Sequence, residues 1–253
     1  MSETLKRIGL LVPASDGVSE PDFHHFLPKG VIFHAARLSQ HKSLKRGFGN
    51  LQRMYDGGVA AAESVALAGP DVIVYSCTSA SFFKGYGSDR VLARAMQKAT
   101  GIPAIVTSTA AVEALKAIGA KKLFMVMPYP PNTLETGLQF FRDAGFEVGG
   151  YTRFDCPTSA DLVHVGPEMV VKRVLMHRAE IRTCDTVFIS GTGFRGMEAI
   201  EALEKALGCP VVTANSATLW AALRLLKVDA TRVPAGRLFR LAANGRTKRK
   251  RAA

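Results

Sequence analysis

Cys77 stands in a run of short hydroxyl side chains, SCTSAS at 76–81, directly after an apolar segment that reads as a strand. A thiol among hydrogen-bond donors at a strand end can serve as a nucleophile or as a general acid and base. Three further strand-end loops have a similar character: VPASDG at 12–17, MPYP at 127–130 and SGTGFRG at 190–196. Small residues that follow a strand and open into a helix present backbone N–H groups suited to an anion. Thr78, Ser79 and Tyr129 add side-chain donors to that set. Cys156, Cys184 and Cys209 lack such company and read as small hydrophobes. Four cysteines without a C-x-x-C pair argue against a disulfide scaffold or a thiolate zinc site.

The segment Gly191–Gly196 is a literal G-x-G-x-x-G after a strand, the pattern that cradles a dinucleotide pyrophosphate. The next strand, however, runs into Asn215 rather than the acidic residue a ribose requires. A nicotinamide-dependent oxidoreductase is therefore an alternative of another class, ranked low. The six histidines show neither H-x-x-x-H nor H-E-x-x-H spacing, so no metal is assigned. His24 and His25 read as a solvated helix end.

Positioning these loops requires alternating strands and helices. Strand-like runs occur at Arg7–Val12, Val31–Ala35, Asp71–Tyr75, Ala104–Thr107, Leu123–Met127, Thr186–Ile189 and Val211–Thr213. Between them, apolar residues recur at helical spacing over Leu51–Ala68, Ala110–Ile118, Thr133–Ala144, Met197–Leu207 and Ala217–Leu226. Gly145 and Gly208 fall where a helix C-terminus favours φ > 0. The alternation predicts an α/β fold with parallel sheets flanked by helices, with ligands beyond the carboxyl ends of the strands.

The chain also resembles itself. RIGLLVPAS at Arg7 parallels KLFMVMPYP at Lys122, VIVYSCTSAS at Val72 parallels TVFISGTGFR at Thr186, and GIPAIVTSTAA at Gly101 parallels GCPVVTANSAT at Gly208. Order is kept throughout, and each match joins a strand end to its loop, which argues for duplication. The expectation is two similar lobes related by a pseudo-twofold axis, with the active site in the cleft between them. The first spans 1–118 and the second 119–241, the last helix, at about 216–227, packing back on the first lobe. A basic disordered tail, 242–253, follows. Cys77 and Gly191 then occupy equivalent positions across the cleft, as do Thr78 and Thr192, and Pro13 and Pro128.

Of 253 residues, 47% are hydrophobic and 21% charged, which is globular composition and excludes disorder, collagen and coiled coil. The run Ile8–Val12 is far too short for a membrane span or signal segment. The reading is a cytoplasmic protein with no membrane partner. Net charge is +12, but five of the basic residues lie in the terminal GRTKRKRAA. Without a recognition motif beside it, that charge argues against nucleic acid as a partner. A homo-oligomer is left open.

The loops together resemble those of the aspartate/glutamate racemase superfamily, in its maleate isomerase and arylmalonate decarboxylase branch. The segments that carry the resemblance are RIGLLVPASDGVSE, YSCTSASFFKG, VTSTAAVEALKAIG, MPYPPNT, ISGTGFRGMEAIEALEKALGCPVVTANSATLWAALRL and GRLFR, which span nearly the whole chain. The resemblance implies two lobes, a small carboxylic acid as substrate, and catalysis without cofactor through an enolate-like intermediate. In the racemases and maleate isomerases it implies one cysteine from each lobe. Here Cys77 matches the first-lobe position and Gly191 holds the second. Similarity to the one-thiol decarboxylases then implies a mirror-handed version with Cys77 as proton donor. It further implies a dioxyanion pocket of Thr78, Ser79, Tyr129 and Thr192, the N–H groups of Ser79 and Thr192 included, in a cleft also lined by Pro13, Ser15, Asp16 and Asn215. Maleate isomerases similar to this chain carry Asn where Asp16 stands, and a carboxylate there would repel a dianion. The expected activity is decarboxylation of a substituted malonate. The alternative is maleate cis–trans isomerase-like or Asp/Glu racemase-like isomerisation using Cys77.

Overall fold

A computed structural model describes residues 5–41, 47–156 and 158–241. The first half of the chain carries strands β1 (Lys6–Pro13), β2 (Val31–Leu38), β3 (Val72–Tyr75) and β4 (Ala104–Val106). The second carries β5 (Lys122–Met127), β6 (Glu147–Arg153), β7 (Thr186–Ile189) and β8 (Val211–Thr213). The first sheet runs β2-β1-β3-β4 and the second β6-β5-β7-β8, every pair parallel. The identical order is the structural form of the repeat read in the sequence, and two α/β lobes result. The central strands β3 and β7 are buried along their whole length, as expected where helices cover both faces of a parallel sheet. The basic tail expected at 242–253 lies outside the described residues.

β6 is an addition to the strands read from sequence. Its EVGGYTR is largely exposed and lies at a sheet edge, so no continuous apolar run announces it. Pairing with β5 skips Gly149, since Leu123 pairs with Val148 and Phe124 with Gly150. A Cβ on Gly149 would stand 2.5 Å from Lys122 Cε, which explains a glycine inside a strand.

The helix expected over Leu51–Ala68 is two, Phe48–Asp56 and Gly58–Ala66. They meet at Gly57, and Gly58 packs against the Tyr75 ring, where a Cβ would stand 3.2 Å from Cε2. Gly145 and Gly208 do take positive φ just past their helices.

The last described long helix, Ala214–Leu225, begins earlier than expected because Thr213 caps it. The Thr213 side chain accepts from Ser216 N–H, while the Ser216 hydroxyl takes the Thr213 N–H. Every residue from Ala214 to Leu223 is buried. Its strongest packing is against the first-lobe helix Thr107–Ala117, and Thr218 donates to Thr107 at 3.1 Å. The largest apolar cluster therefore runs through both lobes, from Ile8 to Phe239. A smaller one, containing Tyr75 and Cys77, fills the other face of the first sheet.

Candidate active site

The carboxyl ends of β1, β3, β5 and β7 surround one cavity at the junction of the lobes. Pro13, Ser15 and Asp16 line it from the first loop, and Cys77, Thr78 and Ser79 from the second. Pro128 and Tyr129 close it from the third, and Gly191 and Thr192 from the fourth. A parallel sheet requires this clustering, because all its strands end on the same side.

Cys77 ends the loop after β3 and is the residue from which the short helix Thr78–Phe82 starts. Its side chain is 4% exposed, and Sγ lies 3.9 Å from Ser79 Oγ. Burial pushes the thiol up to about 11, the Asp16 charge pushes the same way, and the N–H groups of Ala80 and Ser79 only partly offset this. At neutral pH the free site therefore holds a protonated thiol. Thr78 is buried beside it, and its hydroxyl has no hydrogen-bond partner among the described residues. A buried donor without a partner is unfavourable unless a ligand completes it. The Tyr129 hydroxyl is 3.0 Å from Ser190 Oγ, and its ring meets Phe82 edge-on.

Asp16 faces four donors. One oxygen accepts the N–H groups of Val18 and Ser19, both at 2.8 Å. The other accepts the hydroxyls of Ser19 at 2.7 Å and Thr192 at 3.0 Å. Burial nonetheless raises its pKa, with those four hydrogen bonds acting against the rise. The bond to Thr192 joins the two lobes.

One expectation is narrowed here and another changes. Thr192 was read as a donor to substrate, its N–H included, and its hydroxyl is engaged by Asp16 and, at 3.5 Å, by the Ser76 carbonyl. Among the described residues its N–H carries no hydrogen bond, and Thr192 lines the cavity. Asn215 was read as cleft lining, but it lies behind the wall. Its Nδ2 donates to Asp22 at 2.7 Å and to the Thr192 carbonyl at 3.1 Å.

Gly191 faces the cavity with φ +108, a region that side chains rarely enter. A Cβ there would stand 2.9 Å from Pro128 Cγ and 3.1 Å from Phe194 Cε1. Backbone and ring together make any side chain at this position strained, a thiol included. The same loop does not form a phosphate cradle. Arg195 N–H is taken by the Val165 carbonyl, Gly196 N–H by that of Phe194, and a 3₁₀ turn follows rather than an α-helix N-terminus. This removes the structural basis of the oxidoreductase alternative.

Sequence reasoning missed part of the wall. Gln40, Leu51 and Met54 reach the cavity from the first lobe and Leu162 from the second. Gln40 Oε1 accepts the Ser15 N–H at 2.8 Å, which ties this segment to the first loop. Leu51 and Met54 share one face of Phe48–Asp56, and from spacing alone they read as core. Among the described residues no cluster of His, Cys, Asp and Glu could hold a metal ion, and no helix is long and apolar enough to cross a membrane.

A family model described as arylmalonate decarboxylase matches residues 8–239. The chain belongs to the arylmalonate decarboxylase family. It is similar to a maleate isomerase of Pseudomonas putida, 27% identical with 93% of this chain and 97% of that protein covered. It is also similar to an arylmalonate decarboxylase of Bordetella bronchiseptica, 26% identical with 92% and 95% covered. Among solved structures, a maleate isomerase variant from Pseudomonas putida S16 with maleate superposes with a TM-score of 0.86. That match is at 26% identity and covers 93% of this chain and 97% of the other. The family thus joins isomerases and decarboxylases on one two-lobed scaffold, and this chain is an enzyme of that superfamily.

Proposed function

We propose that the enzyme decarboxylates a substituted malonate without a cofactor, with Cys77 as the proton donor. One carboxylate of the substrate sits among the Thr78 and Tyr129 hydroxyls, Ser79 and the Thr192 N–H. The bond from Cα to the other carboxylate breaks, and its electron pair passes into the enediolate that these donors stabilise. CO2 leaves toward the apolar side formed by Leu51, Met54 and Leu162, where a carboxylate is poorly hydrated. The Cys77 S–H proton then moves to Cα, and the thiolate recovers a proton from water.

The observation that carries this reading is the state of the thiol. Cys77, buried and protonated, is poised as an acid, and Gly191, which also lines the cavity, would take a second group only with backbone strain and contact against Pro128. Isomerisation of a maleate-type substrate is the second reading, favoured by the likeness to maleate isomerases. It requires a thiolate that adds to an alkene, which a pKa of about 11 disfavours. The test is a side-by-side assay of aryl- and alkylmalonates and of maleate with wild type and Cys77→Ala. CO2 release from a malonate, lost in Cys77→Ala, and a single α-deuterated enantiomer in D2O are expected. Turnover of maleate without malonate decarboxylation would overturn the reading.

A further inference from the structure

Behind the cavity wall a chain of hydrogen bonds connects a buried carboxylate to one of the donors. Asp22, on the first-lobe helix Ser19–Phe26, is 3% exposed. It accepts from Asn215 Nδ2, at the start of Ala214–Leu225 in the second lobe, and the same Nδ2 holds the Thr192 carbonyl. With its hydroxyl on Asp16 and its carbonyl on Asn215, the Thr192 residue is fixed from both lobes. The N–H left over is the donor assigned above to the substrate carboxylate. Asn215 Oδ1, on the other side of the amide, is buried with no partner.

That orphan oxygen gives the contact two states. An ionised Asp22 only accepts, so Asn215 must present Nδ2 to it. A protonated Asp22 carries an O–H that needs an acceptor, and Asn215 Oδ1 is a buried acceptor that lacks a donor. Turning the amide to supply Oδ1 withdraws Nδ2 from the Thr192 carbonyl. We propose that Asp22 is a positioning residue which, when ionised, holds the Thr192 peptide in place through Asn215 and, when protonated, releases it.

The surroundings of Asp22 bring this change into the neutral range. Burial raises it to about 7, Asn215 opposes the rise, Glu198 and Asp16 add to it, and Arg195 lowers it. Arg195 and Glu198 pair with each other on the second lobe at 2.6 Å. His24 and His25, on the helix of Asp22, border the same groove as that pair. Asp22 is thus the buried member of a mixed cluster whose other members stand toward solvent.

The proposal rests on the Thr192 N–H being a substrate donor, and its test separates the two ideas. The amide resonance of Thr192 and the carboxyl carbon of Asp22 are followed by NMR in the ligand-free full chain between about pH 5.5 and 8.5. Both are expected to titrate with one midpoint. In Asn215→Ala, Asp22 is expected to keep titrating while the Thr192 amide stops responding. In wild type, kcat for a malonate should fall about tenfold per pH unit below the midpoint Asp22 has in the substrate complex, with KM moving less. In Asp22→Asn that limb should vanish. A Thr192 amide indifferent to pH, or one that follows pH equally in Asn215→Ala, would overturn the relay whatever reaction the enzyme performs. Linked titration with no acidic limb in kcat would keep the relay and refute the donor role of the Thr192 N–H.

Discussion

Gly191→Ala adds one methyl at the point where the fold leaves least room, and its effect can be worked out in two parts. The first is backbone strain. A side chain at φ +108 costs roughly 1–3 kcal/mol. The second is contact, because the new Cβ would lie 2.9 Å and 3.1 Å from Cγ and Cδ of Pro128, a rigid ring that cannot swing aside. Overpacking of this kind costs roughly 1–3 kcal/mol. A total near 4 kcal/mol corresponds to a thermal midpoint about 10 °C lower in a chain of this length. Circular-dichroism melts of Gly191→Ala, Pro128→Ala and the double variant separate the parts. Pro128→Ala removes the ring but not the backbone strain, so the two substitutions should couple by about 1 kcal/mol or more. A Gly191→Ala protein that melts within about 2 °C of wild type, or a cycle with no coupling, would refute the argument that this position strains a side chain. The same arithmetic applies to Gly191→Cys, so a second thiol installed here should carry a similar loss of stability.

The protonated Cys77 sets a pH profile: as an acid it must carry its proton, so kcat/KM should show no thiol-dependent loss until pH nears 11. A rate that climbs steadily from neutral pH toward 11 would instead mark the thiolate as the reactive form. Tyr129→Phe and Thr78→Val each remove a hydroxyl aimed at developing charge. They should lower kcat by roughly 10² with a smaller change in KM, read from steady-state kinetics on a malonate. Asp22 also affects stability. Its folded pKa, about 7, lies above the ordinary carboxylate value of 3.8, so its stability contribution is fully present below about 3.8 and is lost as pH rises through 7. Asp22→Asn should therefore melt about 5 °C or more above wild type at pH 8, with little gain at pH 4. Equal melting of the two proteins at pH 8 would count against a strained carboxylate.

The strand-end loops were legible because a parallel sheet is read twice in this sequence. Apolar runs such as VIVY at 72–75 and TVFI at 186–189 mark the strands, and the Ser, Thr, Gly and Pro after them mark the exit. Their convergence followed from topology alone. What stayed hidden depends on partners distant in the chain. Nothing local says that the Thr192 hydroxyl will meet Asp16, 176 residues away. Asn215 carried the right chemistry in a strand-end motif, yet its amide points to Asp22 rather than the cavity. Leu51 and Met54 follow the same periodicity whether they face a core or a ligand. β6 escaped because an exposed edge strand with Gly149 and Gly150 inside it has no apolar pattern to betray it.

The helix Ala214–Leu225 follows all eight described strands in the chain, yet its burial from Ala214 to Leu223 makes it a central pillar. Until residue 225 has been synthesised and has cleared the exit tunnel, Thr107–Ala117 has no neighbour along that face and Asp22 has no Asn215 to meet. A nascent chain can therefore assemble most of both sheets while leaving its main seam open. Only once this helix has emerged does the seam shut, and the Thr192 peptide gains its second anchor in that same event.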